Sequence, residues 1–310
     1  LFSIIADEMY FLPHFLRHYR ALGVREFYFL VDSSTDGSQE FLLAQPDCAV
    51  LSSQYKFKDR INLRIGGKVI QRRFADICRF LIPRTLFIGR WGLVADADEF
   101  LLLPGGATDL VAFVDRLDQH GLDCCRAMMV DCYPRRLADI DQHEPTTDPF
   151  RLAPFYDVVP VDWPDGAIHP RHLEHGVSVR SRINAKLMAM YPHLADALSE
   201  SASDMLHKIP LLRWTERTLV SDAHTANHRP SDRVQVAFAH FKFYPGWERK
   251  VSGALTQKQY ARGSLKYRPL GYAAKVLRDW SLKHDQSMAL APEHVVMDAR
   301  VAFDRLESAA

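Results

Sequence analysis

Three acidic residues stand between two apolar runs in the part of the sequence from residue 91 to residue 103. Residues 91–95 are mostly apolar, Asp96, Asp98 and Glu99 follow within four positions, and residues 100–103 are apolar again. Like charges this close repel each other, and burying one of them without a partner costs free energy. Because alternate side chains of an extended segment share one side, Asp96 and Asp98 are expected to point the same way. The pattern predicts a core strand whose terminal acids are neutralised by a divalent cation, by a basic partner or by solvent.

Apolar runs of strand length alternate with helical spacing over the first 135 residues. Besides the run that carries the acids, strands are predicted over residues 1–6, 26–31, 49–52 and 126–132. Apolar residues three or four positions apart predict helices over residues 10–22 and 68–81, and Asp36 can cap a further helix that runs to about residue 43. Another helix is predicted over residues 108–117. We expect Thr108 to cap the last of these helices. The alternation predicts an α/β fold with a doubly wound, mostly parallel sheet and helices on both faces.

Acidic residues follow several of the predicted strands. Asp7 and Glu8 come after the first strand, Asp32 after the second, and Asp96 and Asp98 after the strand that begins near residue 91. In open α/β sheets, ligands bind beyond the carboxyl ends of the strands. The sequence therefore predicts that these acids meet in one site.

The composition is that of an ordinary globular protein. The chain has 310 residues and a formal net charge of +1, which argues against a general nucleic-acid-binding protein. It has no run of about 18 apolar residues, so no transmembrane segment is predicted. Its five cysteines include no Cys-x-x-Cys pair, which favours reduced thiols in a cytoplasmic protein over a disulfide framework or a zinc site. Because residue 1 already lies inside a strand-like run, we expect the sequence to be part of a longer one.

The pattern changes after residue 135. Prolines become frequent in the next stretch and argue against long helices there; they are Pro145, Pro149, Pro154, Pro160, Pro164 and Pro170. We expect an α/β half over residues 1–135, a half that completes the same domain over residues 136–245, and an irregular, largely helical tail over residues 246–310.

A series of short motifs runs through most of the chain in a fixed order. The motifs are Asp7-Glu8, Ser34-Thr35-Asp36-Gly37-Ser38, Asp96-Ala97-Asp98-Glu99-Phe100-Leu101, residues 176–182, residues 207–214 and His240-Phe241-Lys242. In this order they resemble glycosyltransferase family 2, with the GT-A fold, in the branch that carries an Asp-Ala-Asp-Glu-Phe motif. The chain departs from the family pattern at Ala6, where arginine is usual, and at Val31, where an acid is usual.

The resemblance implies a hexosyltransferase-like enzyme of cell-surface polysaccharide biosynthesis. Residues 1–135 would bind a nucleotide sugar, with a UDP-sugar as the expected donor, and residues 136–245 would face a glycan, a lipid-linked acceptor or another hydroxyl. The implied location is cytoplasmic, with peripheral attachment to the inner face of a membrane as the alternative. The alternative functions are a sugar-phosphate nucleotidyltransferase and an inactive nucleotide- or glycan-binding protein of the same fold.

The resemblance also assigns the site residues. Mn²⁺ or Mg²⁺ would be held by Asp96, Asp98 and His240, and Glu99 would serve the structure or the acceptor side. The residues implied in donor binding are Asp7, Glu8, Asp32, Asp36, Asp96, Arg180, Lys208 and Lys242. An inverting transfer needs a carboxylate to take the acceptor proton. The candidates for this base are Asp157, Asp162, Asp165 and Glu174.

One aromatic and basic stretch stands outside these motifs. Tyr55-Lys56-Phe57-Lys58, extended by Arg60 and Arg64, could stack a nucleobase and hold phosphate. It could also be an edge strand whose charges are solvated, and we favour this second interpretation.

Overall fold

The computed structural model of the chain describes residues 1–157, 179–199, 207–222, 224–231, 234–258, 260–285 and 287–290. The strands are β1 (Phe2–Ile5), β2 (Phe27–Val31), β3 (Cys48–Ser52), β4 (Arg60–Ile65), β5 (Lys68–Arg73), β6 (Trp91–Leu93), β7 (Glu99–Leu102), β8 (Cys124–Tyr133), β9 (Phe155–Asp157), β10 (His207–Arg213), β11 (Val220–Asp222), β12 (Thr225–Ala226), β13 (Gln235–Phe241) and β14 (Ser287–Ala289). The α-helices are α1 (Leu12–Ala21), α2 (Ser38–Leu43), α3 (Phe74–Phe87), α4 (Leu110–Gln119), α5 (Pro149–Leu152), α6 (Val179–Met190), α7 (Ala195–Ser199), α8 (Trp247–Gln257) and α9 (Arg268–Val276).

The α/β class is confirmed, and two sheets form most of the framework. A parallel sheet has the order β1-β2-β3, and a parallel bridge between Phe2 and Val94 brings β1 beside the segment that follows β6. The larger sheet has seven strands in the order β14-β9-β8-β10-β6, with β13 paired to both β8 and β7.

The larger sheet is mixed, so the mostly parallel arrangement predicted from the sequence holds only for the smaller sheet. In the larger sheet β8 and β13 are parallel, and the other pairings among the described strands are antiparallel. The physical reason lies in the second half of the chain. Strands β10 and β13 come from beyond residue 135, and β10 runs antiparallel to both of its neighbours, β6 and β8.

Two predicted elements differ from the structure around residues 60–103. The helix predicted over residues 68–81 is strand β5 followed by helix α3, because β5 pairs with β4 across Gly66 and Gly67. Both glycines have positive φ, 56° and 76°, which is the backbone of a two-residue hairpin turn. The single strand predicted around the acids is divided into β6 and β7, with residues 94–98 between them.

The helix ends show why some boundaries shift by a few positions. Helix α4 begins at Leu110, and its cap is Asp109 rather than Thr108: the Asp109 carboxylate accepts a hydrogen bond of 2.9 Å from the Ala112 N–H. A free carboxylate at a helix N-terminus satisfies an N–H group that has no partner within the helix.

An aromatic cluster packs α1 against β7, β13 and α5. The ring of Phe100 lies 6.2 Å from that of Phe15, 5.4 Å from that of Phe241 and 5.6 Å from that of Phe150. All five cysteines are free, and four of them are buried. Among the described helices, none is long and apolar enough to cross a membrane.

Candidate functional site

A cleft of about 250 Å³ opens beyond the carboxyl ends of β1 and β2, beside the segment between β6 and β7. Five residues implied by the sequence line it: Glu8, Asp32, Asp96, Asp98 and Lys242. The remaining lining residues are Ile4, Ala6, Phe57, Arg73, Ala75, Arg79, Lys250, Tyr260 and Tyr267. The predicted convergence of strand-end acids is therefore present for these acids.

The backbone between β6 and β7 aims two of the acids at the cleft. Ala95 and Ala97 are each 2% exposed, so the small side chains face the core while the alternate positions, Asp96 and Asp98, line the cleft. The Asp96 N–H donates to Glu99 Oε2 at 3.0 Å, and the Glu99 N–H donates to the Asp96 carbonyl oxygen at 3.1 Å. This reciprocal pair closes a turn over residues 96–99 and fixes Asp96 and Glu99 relative to each other.

Basic side chains neutralise Asp96. Its Oδ1 accepts a hydrogen bond of 2.8 Å from Arg79 Nη2, and its Oδ2 accepts one of 2.8 Å from Lys208 Nζ. Lys208 also donates to Glu99 Oε1, so one ammonium group serves two carboxylates. Burial alone would raise the pKa of Asp96, but Arg79 and Lys208 hold it well below its usual range. Burial raises the pKa of Glu99, against the effect of Lys208.

Asp98 has a different set of partners. Its Oδ2 accepts a hydrogen bond of 2.7 Å from Lys242 Nζ and lies 3.6 Å from His240 Nε2. On the other side of the imidazole, Nδ1 lies 2.7 Å from Asp131 Oδ1. Burial would raise the pKa of Asp98, but Lys242 and His240 lower it well below its usual range. Burial and Lys242 act to lower the pKa of His240, but Asp98 and Asp131 outweigh them and raise it.

Asp98, Glu99 and His240 form a group that could hold a metal ion. One ligand atom from each of them lies within 4.8 Å of the others. The strand register explains the meeting, because His240 of β13 is paired with Glu99 of β7 and with Asp131 of β8. The sequence-based set was Asp96, Asp98 and His240. In the structure Glu99 joins Asp98 and His240, whereas both Asp96 oxygens face basic side chains.

Glu8 lies at the opposite side of the cleft and is paired with Lys250. The two side chains are hydrogen-bonded to each other, and both are mostly buried. Burial raises the pKa of Glu8 to about 7, although Lys250 acts to lower it. Glu8 in turn helps to raise the pKa of Lys250 well above its usual value, against the effect of burial.

Asp7 and Asp36 connect two loops and are not among the described residues that line the cleft. Asp7 Oδ1 accepts from the Thr35 N–H at 2.7 Å, and Asp36 Oδ2 accepts from the Met9 N–H at 2.8 Å. Asp36 Oδ1 also accepts from the N–H of Ser38, the first residue of α2. The donor-binding role implied for these two acids stays a prediction, while their visible role is to hold the loops after β1 and β2 together.

Three other implied residues lie in different environments. Asp32 lines the cleft, and its Oδ2 accepts from the Phe57 N–H at 2.7 Å. Lys208 is buried between Asp96 and Glu99 and is not among the residues that line the cleft. Arg180 lies at the start of α6, close enough to Asp131 to contribute to the lowering of its pKa.

The candidates for the acceptor base are only partly visible. Asp162, Asp165 and Glu174 lie outside the described residues. Asp157 is buried, and its carboxylate binds Arg182 at 2.8 Å and His284 at 2.9 Å and accepts from the Tyr133 hydroxyl. It is not among the residues that line the cleft.

The sequence reasoning missed most of the cations and rings of the cleft. Arg79 lies four positions after Ala75 on α3, and both line the cleft, so a correct start for this helix would have indicated the face. Lys250, Tyr260 and Tyr267 come from the tail, more than 240 positions after Glu8, and no local pattern marks them. The ring centroids of Tyr260 and Tyr267 are 4.9 Å apart in a stacked arrangement.

No known family model and no curated protein matches the chain.

Proposed function

We propose that the chain is a metal-dependent glycosyltransferase of the GT-A type. It would move a sugar from a nucleotide-sugar donor, with a UDP-sugar as the expected donor, to a hydroxyl of a glycan or lipid-linked acceptor. The observation that carries the proposal is the group of Asp98, Glu99 and His240 beside a cleft that also presents Lys242, beyond the ends of β1 and β2. The resemblance to glycosyltransferase family 2 supports the same assignment.

The residues present fit a divalent cation of the Mn²⁺ or Mg²⁺ kind. Two carboxylates and an imidazole offer oxygen and nitrogen ligand atoms within 4.8 Å of one another, and Asp131 fixes the imidazole from its far side. A cation bound there would supply positive charge to a departing diphosphate. Lys242 already forms an ion pair with Asp98, so its ammonium group and a bound cation would compete for the same carboxylate.

The other groups of the cleft suit the remaining parts of a nucleotide sugar. Lys242, Lys250 and Arg73 bring positive charge to the space where a diphosphate would lie. Asp32 and Phe57, which are hydrogen-bonded at the end of β2, offer an acceptor group and an aromatic ring for the nucleoside. The stacked rings of Tyr260 and Tyr267 form an apolar wall suited to the face of a sugar.

Calorimetric titration of UDP in the presence and absence of Mn²⁺ tests the metal requirement. We compare the parent with Asp98→Asn and with Asp118→Asn, a matched control on α4, which contributes no residue to the cleft. Loss of a group that only supports a metal ligand already weakens metal binding by about 10- to 100-fold. Asp98→Asn removes a ligand itself, so it should weaken the Mn²⁺-dependent binding of UDP by at least that much. Metal-independent binding of UDP, or equal binding by both variants, would refute the proposed metal site.

A turnover assay then separates the alternatives. Release of free sugar from a panel of nucleotide sugars, in the presence of Mn²⁺, is the expected result and identifies the donor. Release of pyrophosphate from a nucleoside triphosphate and a sugar phosphate would establish a nucleotidyltransferase instead. Metal-dependent binding without turnover of any donor, with or without added acceptor, would indicate an inactive binding protein.

A further inference from the structure

Strands β4 and β5 form a two-stranded ribbon of their own. Their register runs from Arg60 opposite Arg73 to Ile65 opposite Lys68, and within the described chain neither strand pairs with another. The turn at Gly66 and Gly67 lies at the far end of the ribbon. The outer edges of both strands therefore carry no further strand among the described residues.

The ribbon carries an unusual concentration of positive charge for a chain whose formal net charge is +1. Residues 56–73 contain seven basic residues and a single acidic one, Asp59. Five of the basic side chains are exposed and form no ion pair with any described carboxylate. These five, called the ribbon cations here, are Lys58, Arg60, Arg64, Lys68 and Arg72. The cations of the cleft are paired instead, as Lys242 is with Asp98 and Lys250 with Glu8.

Aliphatic side chains lie among the ribbon cations. Val69 is 62% exposed, and it is paired with Arg64 near the turn. Leu63 and Ile70 are opposite each other on the other face and are only partly buried. A surface that offers both positive charge and exposed aliphatic groups matches the interface of an anionic bilayer, where headgroups attract the cations and the acyl boundary accepts the aliphatic groups.

The base of the ribbon is fixed to the rim of the cleft. The Phe57 N–H donates to Asp32 Oδ2 at 2.7 Å, and the Phe74 N–H donates to the Asp59 carbonyl oxygen at 2.8 Å. Phe57, which precedes β4, and Arg73, the last residue of β5, both line the cleft. A surface bound by the ribbon would therefore lie in a defined position relative to the cleft.

We propose that the β4–β5 ribbon docks the protein on an anionic lipid surface. A nucleic acid or an acidic polysaccharide would also attract the ribbon cations, but neither offers an apolar region in which Val69, Leu63 and Ile70 could be buried. The proposal rests on the ribbon alone and holds whether or not the cleft transfers a sugar.

The test is sedimentation of the full chain with vesicles of phosphatidylcholine, with and without about one third phosphatidylglycerol. Each basic residue near such a surface is worth about fivefold in affinity, so R64S/K68S/R72S should bind about 100-fold more weakly than the parent. The matched control, R25S/R151S/K275S, removes three exposed cations from elsewhere in the chain. It should bind like the parent, and added salt should weaken the binding of both.

The variant Val69→Ser tests the aliphatic part without changing the charge of the ribbon. It should weaken binding to the anionic vesicles and leave binding to a soluble polyanion, such as a heparin fragment, nearly unchanged. Circular dichroism and thermal unfolding check that each variant folds. Equal vesicle binding by parent and ribbon variant, absence of binding to anionic vesicles, or binding to heparin alone would overturn the proposal. Hydrolysis of a nucleotide sugar without acceptor, measured in solution, should be unchanged in the ribbon variant, which separates this test from that of the proposed activity.

Discussion

Lys208→Met removes the ammonium group that two buried carboxylates share. Lys208 is 8% exposed and Glu99 is 1% exposed, and Lys208 also binds Asp96 Oδ2 at 2.8 Å. Asp96 keeps Arg79, whereas Glu99 would lose the ammonium group that is bonded to its carboxylate and keep only the nearby imidazole of His240. Breaking a buried ion pair by removal of one partner costs about 3–5 kcal/mol. The free energy of unfolding should fall by that amount, which for a chain of 310 residues corresponds to a thermal midpoint lower by about 5–8 °C.

Urea and thermal unfolding in the presence of a chelator measure this cost without competition from a metal for Glu99. The double variant Lys208→Met/Glu99→Gln replaces the buried charge by a neutral amide of the same shape, so it should recover most of the lost stability. Lys275→Met, an exposed lysine on α9, is the matched control and should stay within about 0.5 kcal/mol of the parent. The reasoning is refuted if Lys208→Met is as stable as the control, or if the added Glu99→Gln recovers nothing.

Three further substitutions test other parts of the structure. Burial raises the pKa of Glu8 to about 7, so the protonated group stabilises the folded state at low pH, and this contribution is lost as the pH rises through 7. The free energy of unfolding of the parent should therefore fall by about 3 kcal/mol between pH 4.5 and 8 because of this group. Glu8→Gln should remove that pH dependence, measured by urea unfolding. Gly92→Ala would place a methyl group against the ring of Phe87 and should lower the thermal midpoint through a cost of about 1–3 kcal/mol; an unchanged midpoint would contradict the packing. Asp157→Asn leaves Arg182 without its carboxylate and should cost about 2–4 kcal/mol of stability, whereas an unchanged midpoint with loss of transfer activity would instead indicate a base.

Local patterns predicted the first part of the fold well. The apolar runs that predicted β1 and β2 and the helical spacing that predicted α1 are short-range features. In the structure, the ends of all three elements lie within two residues of the predicted ends. Apart from Asp7, the acids at the strand ends were also predicted correctly to meet in one cleft. Charged side chains are found at the ends of buried strands because only there can they reach solvent or a ligand.

The hairpin at residues 60–73 shows where local reasoning fails. Ile70 and Phe74 lie four positions apart, which fits helical spacing as well as alternation, and the decisive signal was the Gly66-Gly67 turn, which lets β5 pair with β4. Because the helix was predicted to start at residue 68, the sequence pattern did not mark Arg73 and Arg79 as residues of the cleft. A hairpin prediction would have brought them to the end of β5 and the first turns of α3.

Local patterns could not predict which cation pairs with which acid. Arg79 is 17 positions from Asp96, Lys208 is 112 positions from it, and Lys250 is 242 positions from Glu8. Ion pairs of this kind depend on how the tail and the second half of the sheet pack against the first half. A sequence pattern shows that the charge of an acid must be balanced, but not which distant cation balances it.

Lys208 and Lys242, which bind the acids of residues 96–99, differ in whether they could exchange their carboxylate partner for a ligand. Lys242 lines the cleft, and Asp98 is the carboxylate that its ammonium group binds. If a cation binds Asp98, the Lys242 ammonium group is free to bind an anion in the cleft. Lys208 does not line the cleft, and its movement would leave Glu99 uncompensated in a buried position. The acids therefore divide by the mobility of their partners. Asp96 is held by Arg79 and Lys208 as part of the framework, and Asp98 is the acid whose partner can be exchanged when a ligand arrives.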